Sequence, residues 1–262
     1  MKKSNTSNKH KGSQKATLVF SAVLILLGLA ILAYCLVIPA CNRYYVNHVK
    51  YQVYGGMKNE LRDGELFKDL QSGRSICFLG DSITDGTETD GVGWYQPLAP
   101  YIKGDVSRLA CGGWMVHHLM EEADRIPVAE IYVVAIGVND VVFPWGKYAS
   151  QTPDEYVNRL DRLSGIIKSK SSDAKIYFIA PWNITRQYTQ YEERGEQFRV
   201  ALSGWCERTG YVCLNPHPFI SSVLKEQDEN GYMLDGLHPN ATKGVGLYCY
   251  AVLKADHERK TS

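Results

Sequence analysis

From Leu18 to Pro39 the chain reads LVFSAVLILLGLAILAYCLVIP without one charged residue. About 20 apolar residues in helical form cross the ~30 Å hydrocarbon core of a bilayer, so this run divides the chain into a short leading part and a long trailing one. Lys2, Lys3, Lys9, Lys11 and Lys15 lie before it with no acidic residue among them, and only Arg43 and Lys50 come closely after it. That bias of basic residues places the N-terminus in the cytoplasm and the bulk of the chain outside. Residues 1–17 are therefore expected as a basic cytoplasmic tail, 18–40 as a transmembrane signal-anchor in contact with lipid, 41–73 as a stalk and 74–262 as the outer domain. A cleaved signal peptide is the competing reading, but its apolar region runs to only about 7 to 15 residues. Ile38-Pro39-Ala40-Cys41 loosely resembles a lipoprotein processing site, with Pro39 fitting poorly where a small residue is required.

Composition limits the outer part further. With 45% hydrophobic and 22% charged residues, the 262-residue chain has the profile of one globular domain plus an appendage. A formal net charge of +1 gives no concentrated basic face, and no nucleic-acid partner is expected. The seven cysteines (Cys35, Cys41, Cys77, Cys111, Cys206, Cys213 and Cys249) are odd in number and hold no C-x-x-C pair, which argues against a zinc ribbon or redox motif. Cys206 and Cys213 can be read as a disulfide in an oxidising compartment or as buried thiols. There is no H-E-x-x-H, and His117 adjoins His118 instead of standing four residues from it, so neither metal nor other cofactor is expected. That histidine pair either lines a pocket or faces solvent.

Beyond a mixed segment with some helix expected around Lys58 to Leu70, short apolar runs alternate with amphipathic stretches. Ser75 to Leu79, Val106 to Ala110, Ile131 to Ile136, Lys175 to Ala180 and Tyr211 to Leu214 read as five buried strands. Tyr156, Leu160, Leu163, Ile166 and Ile167 recur at helical spacing in Pro153 to Lys168, whose first turn carries Asp154 and Glu155. Alternation of this kind implies an α/β sandwich with a parallel sheet, whose sites gather at the carboxyl ends of strands.

Three clusters at those strand ends carry chemistry. Phe78-Leu79-Gly80-Asp81-Ser82-Ile83-Thr84-Asp85-Gly86 runs from an apolar strand into a turn that exposes the Ser82 hydroxyl, with glycine leaving room for a backbone amide to face a developing oxyanion. Ala135-Ile136-Gly137-Val138-Asn139-Asp140 ends a second strand in an amide and a carboxylate. Each, taken alone, is also an ordinary turn. The third is Asp235-Gly236-Leu237-His238-Pro239-Asn240, just before a helix expected over Thr242 to Lys254. A carboxylate three residues before an imidazole can hold one ring nitrogen and leave the other to take a serine proton.

In this order and at these positions the clusters resemble the SGNH hydrolases, the GDSL esterase and lipase family, over roughly Ser75 to Lys254. The resemblance implies a three-layer α/β/α sandwich around a central, mainly parallel five-stranded sheet of flavodoxin-like type, preceded here by one transmembrane helix. It implies Ser82 as nucleophile, His238 as general base and then acid, and Asp235 as its orienting partner. The oxyanion hole would comprise the Ser82 N–H, a glycine N–H and the Asn139 side chain. Aligning Leu109-Ala110-Cys111-Gly112-Gly113-Trp114 with the family's second block favours Gly113 over Gly112, although Arg108 and Ala110 replace the usual Asn and first Gly. Asp81 and Asp140 read as braces of their loops.

The expected activity is hydrolysis of carboxylic esters, foremost short O-acyl groups such as O-acetyl on carbohydrate, by an extracytoplasmic enzyme anchored in the cell membrane. An O-acyltransferase or a lipase or lysophospholipase could use the same residues, and a surface glycan-binding module is the non-enzymatic alternative. Trp94, Trp114, Trp145 and Trp182 follow strand ends or adjoin the clusters; they either stack on sugar faces or pack against the sheet, as tryptophan more often does.

Overall fold

A computed structural model describes residues 7–45 and 52–261, with side chains described for 19–38, 40, 41 and 52–260. Lys2, Lys3 and Lys50 lie outside the described residues, as do the side chains of Lys9, Lys11, Lys15 and Arg43. The chain divides into two units, Met1–Val49 and Lys50–Ser262. The first consists of helix α1 (Ser7–Tyr45). Within it Val19–Ile38 has a mean hydropathy of 2.8 and no buried residue, so a span long and apolar enough to cross a membrane exposes its side chains all round.

The second unit begins earlier than the expected stalk boundary at residue 73. Val53, Leu61, Leu66, Phe67 and Leu70 are all buried in the main core, and Tyr54 N donates to Gly246 O at 3.0 Å. Residues 52–73 are thus part of the domain and not a spacer. The helix expected around Lys58 to Leu70 is interrupted: a 3-10 turn at Glu60–Asp63 gives way at Gly64 (φ −59°, ψ 157°) to helix α2 (Glu65–Leu70). The break lets the buried Asp256 carboxylate cap the new helix through Leu66 N at 2.8 Å.

Five strands come next, each within a residue or so of its expected bounds: β1 (Ile76–Gly80), β2 (Val106–Ala110), β3 (Ile131–Ala135), β4 (Lys175–Ile179) and β5 (Val212–Leu214). All pair in parallel in the order β2-β1-β3-β4-β5. Of the three inner strands, β1 and β3 are buried at every position, which is why they read as unbroken apolar runs. Alternating with the strands and following the last come α3 (Ser82–Asp85), α4 (Val116–Glu121), α5 (Val138–Val142), α6 (Pro153–Lys170), α7 (Glu192–Thr209), α8 (His217–Glu226) and α9 (Gly244–Thr261). Helices α4, α6 and α7 pack together on one face, while α2, α8 and α9 group on the other, giving three layers. Thr152 caps α6 through Glu155 N, with Pro153 at its first position.

In this strand order β1 and β3 are the neighbours from which the chain departs in opposite directions across the sheet, and ligands of such folds sit in the crevice outside those strand ends. The pairing is tight there. A Cβ on Gly80 would overlap Thr84 Oγ1 and lie 2.5 Å from Ala135 O, so β1 can end beside β3 only with glycine.

Two glycine substitutions test this packing. Gly246→Ala would drive a methyl group into the Gln52 carbonyl and within 3.3 Å of Tyr54 N, and should destabilise the protein by about 1–3 kcal/mol in urea titration. Gly165→Ala, inside α6 with nothing within 4 Å, should stabilise it by roughly 1 kcal/mol. Equal effects would mean that residues 52–54 do not seat on α9.

Candidate active site

The Ser82 side is built by the exit of β1. Asp81 is the N-cap of α3 (φ −106°, ψ −156°) and its carboxylate accepts from Ile83 N at 3.0 Å. Gly86 closes the turn at φ +78°. Ser82 is the first helical residue, and an amide there has no acceptor within the helix. Its side chain is nearly buried.

The opposing side is the loop before α9. Asp235 Oδ1 accepts from Leu237 N (2.6 Å) and His238 N (2.7 Å), while Oδ2 meets His238 Nδ1 at 2.9 Å. His238 Nε2 then stands 2.9 Å from Ser82 Oγ, across 156 residues of sequence. The loop is closed on itself by Leu234 N, which donates to His238 O (2.9 Å), and tied to the segment after β4 by Thr185 N, which donates to Gly236 O (2.8 Å). Burial opposes ionisation of Asp235, but the His238 ring and the two backbone donors outweigh it and hold the carboxyl below its ordinary range. An ionised Asp235 accepts a hydrogen bond from Nδ1–H, which leaves the Nε2 lone pair facing the serine hydroxyl.

Asn139 and Gly113 lie beyond the ends of β3 and β2, the strands on either side of β1. Gly137 holds φ +127° at the N-cap of α5, and a Cβ there would lie 2.7 Å from the Tyr156 ring; only glycine permits this route from β3 to Asn139. Asn139 Nδ2 donates to Trp114 O at 2.9 Å, which fixes the amide's orientation and leaves its second N–H available. Gly113 adopts φ +75°, and a methyl group there would meet nothing within 4 Å, whereas one on Gly112 would face the Thr87 side chain at 3.1 Å. Gly113 is the more open of the two candidates.

Two further carboxyls are sealed behind these loops. Asp140 accepts from Val116 N (3.2 Å) and Ser150 N (2.8 Å), so it ties α4 and the Ala149–Ser150 turn to α5. Burial raises its pKa against those donors. Asp81 is wholly buried, and burial pushes it up to about 7, opposed by Ile83 N and aided by Asp140. Its Oδ2 has no hydrogen-bond partner among the described residues.

The remaining candidates separate by position. Trp94 and Trp182 are fully buried, Trp114 is half-buried, and Trp145 is 70% exposed. His118 Nδ1 accepts from Met115 N at 3.0 Å, and His117 stacks on Tyr148 with centroids 4.6 Å apart; both are partly buried. Cys206 and Cys213 are free thiols, the first buried and the second half-buried. Sequence reading missed Arg194, whose guanidinium donates to Ser150 O (2.7 Å) and Gln151 O (3.0 Å). An arginine in the first turns of a helix carries no local mark of that role.

Known proteins share this architecture. The profile of the GDSL-like Lipase/Acylhydrolase family matches residues 78–242. Among solved structures, a GDSL-like protein from Parabacteroides merdae superposes with a TM-score of 0.60 at 21% identity, covering 71% of this chain and 97% of its own. An acetylxylan esterase from Geobacillus stearothermophilus gives 0.58 at 21% identity, over 71% and 95%. An α/β hydrolase from a Lake Arreo metagenome gives 0.57 at 18%, over 70% and 95%. At these identities the likeness is one of fold. No curated protein matches the sequence.

The buried Asp81 makes a pH prediction. The folded protein retains its proton up to about pH 7, while the unfolded chain releases it near the ordinary 3.8. The folded state therefore binds more protons in this window, and the contribution of Asp81 to stability falls as pH rises through it. Asp81→Asn keeps an acceptor for Ile83 N but cannot ionise. Relative to the variant, the wild type should lose on the order of 2 to 4 kcal/mol between about pH 4 and pH 7 in urea titration; parallel pH profiles would refute the assignment.

Proposed function

The chain belongs to the GDSL-like lipase/acylhydrolase family, and on that premise we propose that this serine ester hydrolase works through Ser82, His238 and Asp235 as an acyl-enzyme esterase held at the outer face of a membrane. The observation that carries the reading is the 2.9 Å approach of His238 Nε2 to Ser82 Oγ while Nδ1 meets Asp235 Oδ2 at the same distance. Nucleophile, base and orienting carboxylate then stand in the sequence of contacts that serine acyl transfer requires.

Catalysis begins as Ser82 Oγ attacks the ester carbonyl and its proton passes to His238 Nε2. Asp235 stabilises the imidazolium through Nδ1–H and keeps its own charge. The tetrahedral oxyanion accepts from Ser82 N–H, Gly113 N–H and the free N–H of Asn139, three donors from three different strand ends. His238 returns the proton to the departing alcohol, and water repeats the sequence on the acyl-enzyme. The substrate proposed is a short O-acyl ester on carbohydrate, foremost O-acetyl, in keeping with an outer location and with the acetylxylan esterase of the same fold.

Attachment is proposed to run through residues 18–40, with the N-terminus cytoplasmic and residues from Lys50 onward outside. Support comes from Val19–Ile38, 20 residues without a buried side chain, whose exposed apolar surface would be unfavourable in water but matches hydrocarbon.

Ser82→Ala should abolish ester cleavage and fluorophosphonate labelling while leaving the urea midpoint close to wild type. Asn139→Ala should lower kcat by about 10² to 10³, and Asp235→Asn by up to about 10⁴. A purified Ser82→Ala protein with normal turnover would overturn the mechanism. Acetate release without any sugar acceptor is expected; efficient transfer with negligible release would make the protein an acyltransferase. The full chain should stay in membranes through an alkaline carbonate wash, and its release would remove the anchor.

A further inference from the structure

Two aromatic loops meet between the helix of Asn139 and the loop of Asp235 and His238. Phe143 and Trp145 lie in the segment leaving α5, the helix of Asn139, and Phe143 N donates to Asn139 O at 3.1 Å. Tyr188 and Tyr191 belong to a 3-10 turn, Arg186–Tyr191. Tyr188 lies against Gly236, where a Cβ would come within 2.8 Å of its ring. The four rings join across the gap, with centroids 5.9 Å apart for Phe143 and Trp145, 6.3 Å for Phe143 and Tyr188, and 6.0 Å for Trp145 and Tyr191. One aromatic shelf thus runs from the Asn139 helix to the loop holding Asp235 and His238.

The shelf is open. Trp145 is 70% exposed and the other three rings are partly so, in contrast to Trp94 and Trp182 in the core. Burying this indole elsewhere would stabilise the fold, and contiguous exposed apolar surface beside a site marks binding. Its chemistry narrows the ligand. The rings meet at 56° to 84°, so the surface is stepped and presents edges as well as faces. Exposed Gln187, Thr189 and Gln190 are interleaved with the tyrosines. A bilayer-seeking patch would pair its apolar tip with a rim of free lysine and arginine; here the rim interleaves amide and hydroxyl groups with two cations that already have partners, Lys147 donating to the Tyr148 hydroxyl at 3.2 Å and Arg186 held by Glu229 and Asn230. A pyranose ring has the matching form, an apolar C–H face edged by hydroxyls.

We propose that Trp145, supported by Phe143, Tyr188 and Tyr191, forms a subsite for a pyranose ring on the alcohol side of the scissile ester. The inference rests on the esterase reading above and extends it from the bond cleaved to the residues that select the molecule carrying it. A ring held there would orient its acylated hydroxyl toward Ser82, so the shelf should act mainly on KM.

The experiment uses the full chain in detergent with four substrates: O-acetylated xylo-oligosaccharide, O-acetylated chito-oligosaccharide, 4-nitrophenyl acetate and 4-nitrophenyl palmitate. For Trp145→Ala, the ratio of kcat/KM on the better glycan to that on 4-nitrophenyl acetate should fall about tenfold, chiefly through KM, and Trp145→Tyr should restore most of it. An unchanged ratio, or a loss confined to the palmitate ester, overturns the proposal, the latter in favour of a lipid surface. Calorimetric binding of the glycans to Ser82→Ala separates this inference from its premise. Binding that Trp145→Ala abolishes, together with a wild type inert on every ester, would keep the subsite and sink the esterase. Absence of binding in the Ser82→Ala background overturns the subsite itself.

Discussion

Parallel pairing of β1 with both β2 and β3 is the constraint on which the rest depends. Gly80 pairs with Ala110 on one side and Ala135 on the other, so three strands end at one level and three loops rise from one edge. Ser82, Gly113 and Asn139 each lie only a few residues beyond those ends. The short distances leave little backbone freedom, and the chain meets the geometry with glycine where side chains have no room, at Gly80 against Ala135 O and at Gly137 against Tyr156. The imidazole is different. His238 comes from no strand end; its loop is closed on itself by Leu234 N and tied to the segment after β4 by Thr185 N.

Support for these loops is polar, buried at Asp140 and part-buried at Arg194, which makes it specific. Asp140 joins α4 and the Ala149–Ser150 turn to α5, and Arg194 clasps the carbonyls of Ser150 and Gln151. Each such bond contributes about 1 kcal/mol net when made, but leaving one buried member unpaired costs more. A displaced Asp140 would strand its own carboxyl and two backbone N–H groups at once, so the arrangement has no inexpensive alternative. The aromatic shelf grows from the same braced segment, since Phe143 hangs from Asn139 O.

What the sequence disclosed depends on how local each signal is. The inner strands were legible because a parallel sheet buried on both faces demands continuous apolar runs, as in Ile131 to Ala135. Ser82, Asn139 and the Asp235-His238 pair were legible because each motif lies within a few residues of a strand or helix end. Residues 52–70 were misread as stalk because Leu61, Leu66, Phe67 and Leu70 are diluted by charged neighbours, and their burial is decided by α9, nearly two hundred residues later. The partners of Asp140 were illegible for the same reason, as was the meeting of Phe143 with Tyr188: contacts between separate loops leave no periodicity in either.

The carboxyls near Ser82 show how burial assigns chemistry. Asp235 and Asp81 have the same intrinsic acidity, yet two backbone donors and a ring hold one ionised, while enclosure with a single donor drives the other toward its neutral form. The difference has an electrostatic consequence for the proposed mechanism. Were Asp81 charged, a second negative centre one residue from the nucleophile would oppose the oxyanion that Ser82 N–H is meant to stabilise. Neutral Asp81 still caps α3 through Ile83 N, so it shapes the turn without adding that repulsion. Below about pH 7, where Asp81 keeps its proton, the charge of Asp235 lies on the far side of His238, where it favours the imidazolium and is separated from the developing oxyanion by the ring itself.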